Sequence, residues 1–128
     1  MAELKKILYA EDEPDIQAVA QMALEAIGGF EVVLCSSGVE AIEVAPGVAP
    51  DLILLDVMMP GLDGPETLKK LREIDSLKET PVIFLTAKAM STEVDRFKAA
   101  GAIDVIAKPF DPMTISDQIR GIWELHTS

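Results

Sequence analysis

The chain has 128 residues, 49% of them hydrophobic and 26% charged, so it can bury one core, has no room for a second domain of ordinary size, and lacks the polar bias of a disordered segment. Its net charge of -11, from 22 acids against 11 bases, argues against nucleic acid or an anionic membrane as a direct partner.

The charge is unevenly placed. Residues 1–68 hold two bases, Lys5 and Lys6, and thirteen acids, whereas residues 69–128 hold nine of each. An acidic cluster between Ile7 and Leu68 must therefore find its counter-charge in the distal half or in a cation. The single cysteine, Cys35, excludes a disulfide framework and a multi-thiolate metal site, and fits a reducing compartment, with the cytoplasm as the expectation. Met1 to Lys6 precedes only the short apolar run Ile7 to Ala10, so neither a signal peptide nor a span of about 20 apolar residues is expected.

Ile7, Leu8, Tyr9 and Ala10 stop abruptly at Glu11, Asp12 and Glu13, the pattern of a buried strand that ends in an acidic loop. Pro14 suits a first helical turn, and Ile16, Val19, Ala20, Ala23, Leu24 and Ile27 repeat with helical spacing until Gly28 and Gly29. Phe30 to Leu34 is expected as a second strand. Ser37 to Val44 reads as a weaker helix closed by Pro46 and Gly47. Leu52 to Leu55 is a third apolar run, again ending at an acid, Asp56.

Turn residues follow from Met59 to Gly64, and Pro65 opens a helix through Leu68, Leu71 and Ile74. Val82 to Leu85 is a fourth strand ending at Thr86. Thr92 to Ala100 is expected as a helix with Val94 and Phe97 facing inward and Gly101 as its cap. Val105 to Ala107 is a short fifth strand ending at Lys108, and Asp111 is placed to cap a last helix beginning at Pro112 and carrying Ile115, Ile119, Ile122 and Trp123. Cys35 is expected to be a small buried hydrophobe.

Five alternations of short apolar strand and helix imply an α/β fold with a parallel sheet covered on both faces. Ligands of such sheets bind outside the carboxyl ends of the strands. Four of the five strands end there in functional groups: Glu11 with Asp12, Asp56, Thr86 and Lys108. Three converging carboxylates repel one another, by roughly 4 kcal/mol for a pair about 4 Å apart at an effective dielectric near 20. A hard divalent cation offsets this, and magnesium suits a site of few carboxylates because water and a phosphoryl oxygen complete its octahedron. A carboxylate held beside such a cation and the Lys108 ammonium is poised to accept a phosphoryl group.

These residues resemble a CheY-like receiver domain, the phosphoacceptor module of two-component response regulators. The resemblance rests on Tyr9-Ala10-Glu11-Asp12-Glu13, on Asp51 to Gly64 (DLILLDVMMPGLDG), on Pro81 to Ala87 (PVIFLTA), and on Lys108-Pro109-Phe110 after Gly101-Ala102, and it spans essentially the whole chain as a single domain, 1–128. It implies a doubly wound five-stranded parallel sheet in the order 2-1-3-4-5. By position, Asp56 resembles the nucleophile that takes the phosphoryl group. Glu11 and Asp12 resemble the acidic pair that holds Mg2+, with Asp56 and the Met58 carbonyl as further ligands. Thr86 and Lys108 look like the hydroxyl and ammonium that bind phosphoryl oxygens, and Lys108-Pro109 is similar to the family's cis peptide. The implied donor is a sensor histidine kinase or a histidine phosphotransfer protein, with self-dephosphorylation, and no separate enzymatic activity.

Two positions depart from the family pattern. Glu11 replaces the commoner Asp. Val105 stands where the family usually has Tyr or Phe, a ring that moves inward as the residue matching Thr86 approaches the phosphoryl group, so a muted conformational readout is expected. Other functions fit the residues less well. A flavin-phosphate loop after the first strand needs hydroxyl and glycine donors, whereas Glu11 to Asp15 would repel a phosphate. A phosphohydrolase with a nucleophilic Asp wants a second Asp two residues later as general acid, where Met58 stands. A partner surface is expected on the exposed side of the first helix, around Ala18 and Met22.

Overall fold

In a computed structural model, which describes residues 3–127, the apolar runs form five parallel strands: β1 (Lys6–Ala10), β2 (Glu31–Cys35), β3 (Leu52–Asp56), β4 (Val82–Thr86) and β5 (Asp104–Ala107). Their order is β2-β1-β3-β4-β5. β1, β3 and β4 are central and covered on both faces, which is why they read as continuous apolar runs rather than alternating ones. Alternation reappears as a division between two cores. Leu8, Ala10, Ile53, Leu55 and Phe84 face one side with Ala41, Ala45, Leu68, Leu71 and Phe97. Ile7, Tyr9, Leu52, Leu54, Ile83 and Leu85 face the other with Ala20, Leu24, Ile115, Ile119 and Trp123.

The helices are α1 (Pro14–Gln21), α2 (Gly38–Val48), α3 (Gly64–Leu71), α4 (Ser91–Ala99) and α5 (Ile115–Thr127). α1 and α5 therefore cover one face, and α2, α3 and α4 the other.

Element boundaries differ from the sequence reading at several places, and four of the differences have a clear local reason. α1 does not run evenly to Gly28: from Met22 to Ile27 it widens into a π-helix. There the Gly28 amide donates to the Ala23 carbonyl, which also accepts from the buried Ser116 hydroxyl of α5 at 2.8 Å. Gly28 lies so close to Ser116 that an added Cβ would sit 2.2 Å from its Oγ. Within this helical stretch Val19 and Ile27, which share the apolar spacing, remain 40% and 45% exposed.

β2 starts at Glu31 rather than Phe30, because the Phe30 ring is held in the α1/α5 core under the Arg120 guanidinium, 4.5 Å above its centroid. α2 is not closed by Pro46 and Gly47; it continues to Val48 with Pro46 inside. Its end is instead set by Ala49, whose φ of +50° is left-handed and whose amide donates to the Ala45 carbonyl. Burial of Ala41 and Ala45 in the core holds this last turn despite the hydrogen bond that proline cannot make. α5 becomes regular only at Ile115. The Asp111 carboxylate caps the preceding turn by accepting from the Met113 amide at 2.9 Å, not a helix starting at Pro112. In α4, Phe97 is buried against Phe84 in an edge-to-face pair at 5.3 Å, whereas Val94 is half-buried.

Candidate functional site at the carboxyl edge of the sheet

In the β2-β1-β3-β4-β5 order, chain direction around the sheet reverses between β1 and β3, and the crevice of such a sheet opens there. Register brings the strand ends together: Ala10 pairs with Leu55, Asp56 with Leu85, and Thr86 with Ala107. Glu11 and Asp12 therefore leave β1 beside Asp56, while Thr86 and Lys108 close the far side.

The carboxylates of Glu11, Asp12 and Asp56 approach within 4.8 Å of one another. Glu11 is fully buried and Asp56 is 3% exposed. The Lys108 ammonium donates to Glu11 Oε2 and to Asp56 Oδ2, both at 3.1 Å. Asp56 Oδ1 accepts from the Met58 amide at 3.3 Å, and the buried Thr86 hydroxyl oxygen accepts from the Lys88 amide at 3.0 Å. The Lys108-Pro109 peptide is cis.

Electrostatics follow from this crowding. Burial and the facing charge of Asp56 push the Glu11 carboxyl above the usual range, against the Glu13 amide and Lys108, which favour the anion. For Lys108, burial favours the neutral amine, but its hydrogen bonds to Asp56 and Glu11 and their charges outweigh this and hold the ammonium above the usual lysine value. One ammonium thus faces three carboxylates, and two negative charges remain to be offset. The ligand atoms that Glu11, Asp12 and Asp56 offer here are all carboxylate oxygens, the kind a hard cation takes. Their 4.8 Å spread is near the roughly 4.2 Å between opposite ligands of an octahedral Mg2+, so the residues fit that ion after movements of a few tenths of an ångström.

All six residues expected from the sequence, Glu11, Asp12, Asp56, Met58, Thr86 and Lys108, lie at this edge. Met58 contributes through its backbone, and its side chain is 77% exposed. Three further residues shape the site without having been singled out. Tyr9 donates its hydroxyl to Glu11 Oε2 at 3.2 Å; the signal was a polar tip inside an otherwise apolar strand. Gln17 donates its side-chain amide to the Glu11 carbonyl. Gly64 packs so tightly behind the strand end that a Cβ would sit 2.9 Å from the Asp56 carbonyl oxygen and 2.9 Å from Val57 Cα.

The family model of the response regulator receiver domain matches residues 7–120. The chain belongs to this family. The receiver domain is 38% identical over 122 residues to the transcriptional regulatory protein CseB of Streptomyces avermitilis, covering 95% of this chain and 50% of CseB. It is 39% identical over 118 residues to the alkaline phosphatase synthesis transcriptional regulatory protein PhoP of Bacillus subtilis, covering 92% and 48%. It therefore spans about half the length of these curated relatives. Among solved structures it resembles the chemotaxis response regulator CheY4 of Vibrio cholerae with a TM-score of 0.86, 30% identity, and coverage of 94% of this chain and 99% of that one. Among the described residues of the receiver domain, no helix is long and apolar enough to cross a membrane.

Proposed function

We propose that this receiver domain accepts a phosphoryl group on Asp56 from a phosphohistidine, carried by a sensor histidine kinase or a histidine phosphotransfer protein. The observation that carries the reading is the single ammonium of Lys108 bridging Glu11 and Asp56 at the crevice of the sheet. An Asp56 carboxylate oxygen forms the new bond to phosphorus as the phosphorus–nitrogen bond breaks, and the imidazole leaves with that electron pair. Two donors of Lys108 are engaged by Glu11 and Asp56, and the third is free for a phosphoryl oxygen. Thr86 already accepts from the Lys88 amide, so its own proton is available to a second oxygen.

Glu11, Asp12, Asp56 and the Met58 carbonyl would hold Mg2+, which when bound neutralises charge on the transferring oxygens. The acyl phosphate is then lost to water, so the chain is a phosphoacceptor working on itself, a single domain of the cytoplasmic side of a signalling pathway. Beside Lys108, a groove of about 230 Å³ is lined by Asp15, Ile16, Val19, Pro109 and Phe110, and Ala18 and Met22 are exposed on the same helical stretch. This face is where the phosphate donor docks.

Intact-mass measurement after incubation with acetyl phosphate and Mg2+ tests the assignment: wild type gains one phosphoryl mass and Asp56→Ala gains none. Labelling of Asp56→Ala at the wild-type level would overturn it.

A further inference from the structure

We propose that Tyr9 is a positioning residue for the cation site, holding the longer Glu11 side chain in the place of a metal-site carboxylate. The inference rests on the metal-site reading above and concerns a residue outside the acidic trio.

Tyr9 is fully buried in the middle of the sheet, on the face covered by α1 and α5. Its ring is ordinary core, but its hydroxyl is the one polar atom of that strand face and is spent on Glu11 Oε2 at 3.2 Å. Oε2 then receives two donors, Tyr9 and Lys108, and Oε1 receives one, the Glu13 amide at 3.2 Å. A carboxylate offers about four lone-pair sites. With Oε2 filled, the open lone pair lies on Oε1, and the orientation of the carboxylate is fixed from three directions.

This arrangement answers a problem of length. Glu11 carries one more methylene than an aspartate and one more torsion to order, so an untethered carboxylate would lose freedom whenever a cation bound. Tyr9 is anchored by packing on both neighbouring strands, with Leu34 and Leu54 as its register partners, and its hydroxyl removes that freedom in advance. Outer residues that orient a ligand commonly change metal affinity by about 10–100-fold when removed. The same hydroxyl would not reach a carboxylate shortened by one carbon–carbon bond, so the effect of Tyr9 depends on the residue at position 11 being Glu.

The test is a double-mutant cycle on Mg2+ affinity in the full chain, read from backbone amide NMR shifts of Glu13 and Met58 during titration. Tyr9→Phe is expected to weaken Mg2+ binding about 10-fold in the Glu11 background and less than about 2-fold in the Glu11→Asp background. Equal losses in the two backgrounds, or no loss in the first, would overturn the proposal, since a packing role does not depend on the length of residue 11. Asp12→Asn separates the two levels of inference. If it leaves Mg2+ affinity unchanged, the cation site itself is misassigned; if it weakens binding while Tyr9→Phe does not, only the positioning role fails. The apo spectrum of Tyr9→Phe reports folding directly, and should it be unfolded, Tyr9→Met, which fills the core without a hydroxyl, takes its place in the same cycle.

Discussion

Gly64 and Gly121 are both helical glycines, and substituting each by alanine should move the protein in opposite directions. Gly64 opens α3, where its amide donates to the Val57 carbonyl at 3.0 Å and the flanking Asp63 and Glu66 cap one another's backbone amides. The helix start is thus pinned to the strand end behind Asp56. A Cβ there would lie 2.9 Å from the Asp56 carbonyl oxygen and from Val57 Cα. Both obstacles are backbone, so relief requires a separation of about half an ångström, an overpacking that costs about 1–3 kcal/mol. The entropy gained on removing a glycine offsets about 0.4–1 kcal/mol. A net loss of about 1–2 kcal/mol lowers Tm by about 4–7 °C, given an unfolding entropy near 2 cal/mol/K per residue. Gly121 lies inside α5 with nothing within 4 Å of its Cβ position, so Gly121→Ala should gain up to about 1 kcal/mol from helix propensity. Thermal and urea unfolding measure both. Acetyl phosphate labelling, run well below either Tm, should slow in Gly64→Ala, whose strain falls on Asp56, and stay at the wild-type rate in Gly121→Ala. A Gly64→Ala protein as stable as wild type would refute the close approach on which this reasoning depends.

Lys108→Ala should destabilise the metal-free protein by about 3–5 kcal/mol, because Glu11 and Asp56 lose their shared partner while buried; its Tm should rise more steeply with added Mg2+ than that of wild type, and equal Mg2+ dependence would contradict the site. Burial, and secondarily the charge of Glu40, push the Cys35 thiol up to about 12. Its folded pKa exceeds the unfolded value, so this contribution to stability is present at neutral pH and is lost as pH rises from about 8.5 towards the folded value. At pH 8 a thiol reagent should react only through unfolding, and fast stoichiometric reaction with native protein would disprove the burial. Val105 is half-buried opposite Phe84 on β5, and its stiff χ1 leaves it no ring to swing. Beryllofluoride, standing in for the phosphoryl group, should shift amide signals strongly around Asp56, Thr86 and Lys108 and only weakly across Asp95 to Lys98 and Ile115 to Ile119; large shifts in those two segments would overturn the muted readout.

The three central strands, β1, β3 and β4, were the most legible in the sequence because each is a short apolar run ended by a polar residue, and a strand buried on both faces has no other way to be written. The same punctuation marked Glu11, Asp12, Asp56, Thr86 and Lys108 as strand-end groups before any of them had a position in space. What the linear pattern could not carry is the effect of distant residues on local geometry. Proline and glycine signalled the end of α2 at Val44, yet core burial of Ala45 carried the helix to Val48. Within the widened end of the first helix, the Ala23 carbonyl accepts from Ser116, 93 residues away. Periodicity placed Val19 in a core face that the neighbouring elements leave open. Tyr9 is the clearest case. In sequence it is one apolar residue among four; alternation along β1 puts it on the same face as Glu11, two residues on, but only the parallel register that sets β1 beside β3 brings Asp56 to the same edge. Hydrophobic pattern determines which residues leave water, because that depends on each side chain alone. The partners of a buried polar atom depend on which strands become neighbours, and that only the tertiary fold decides.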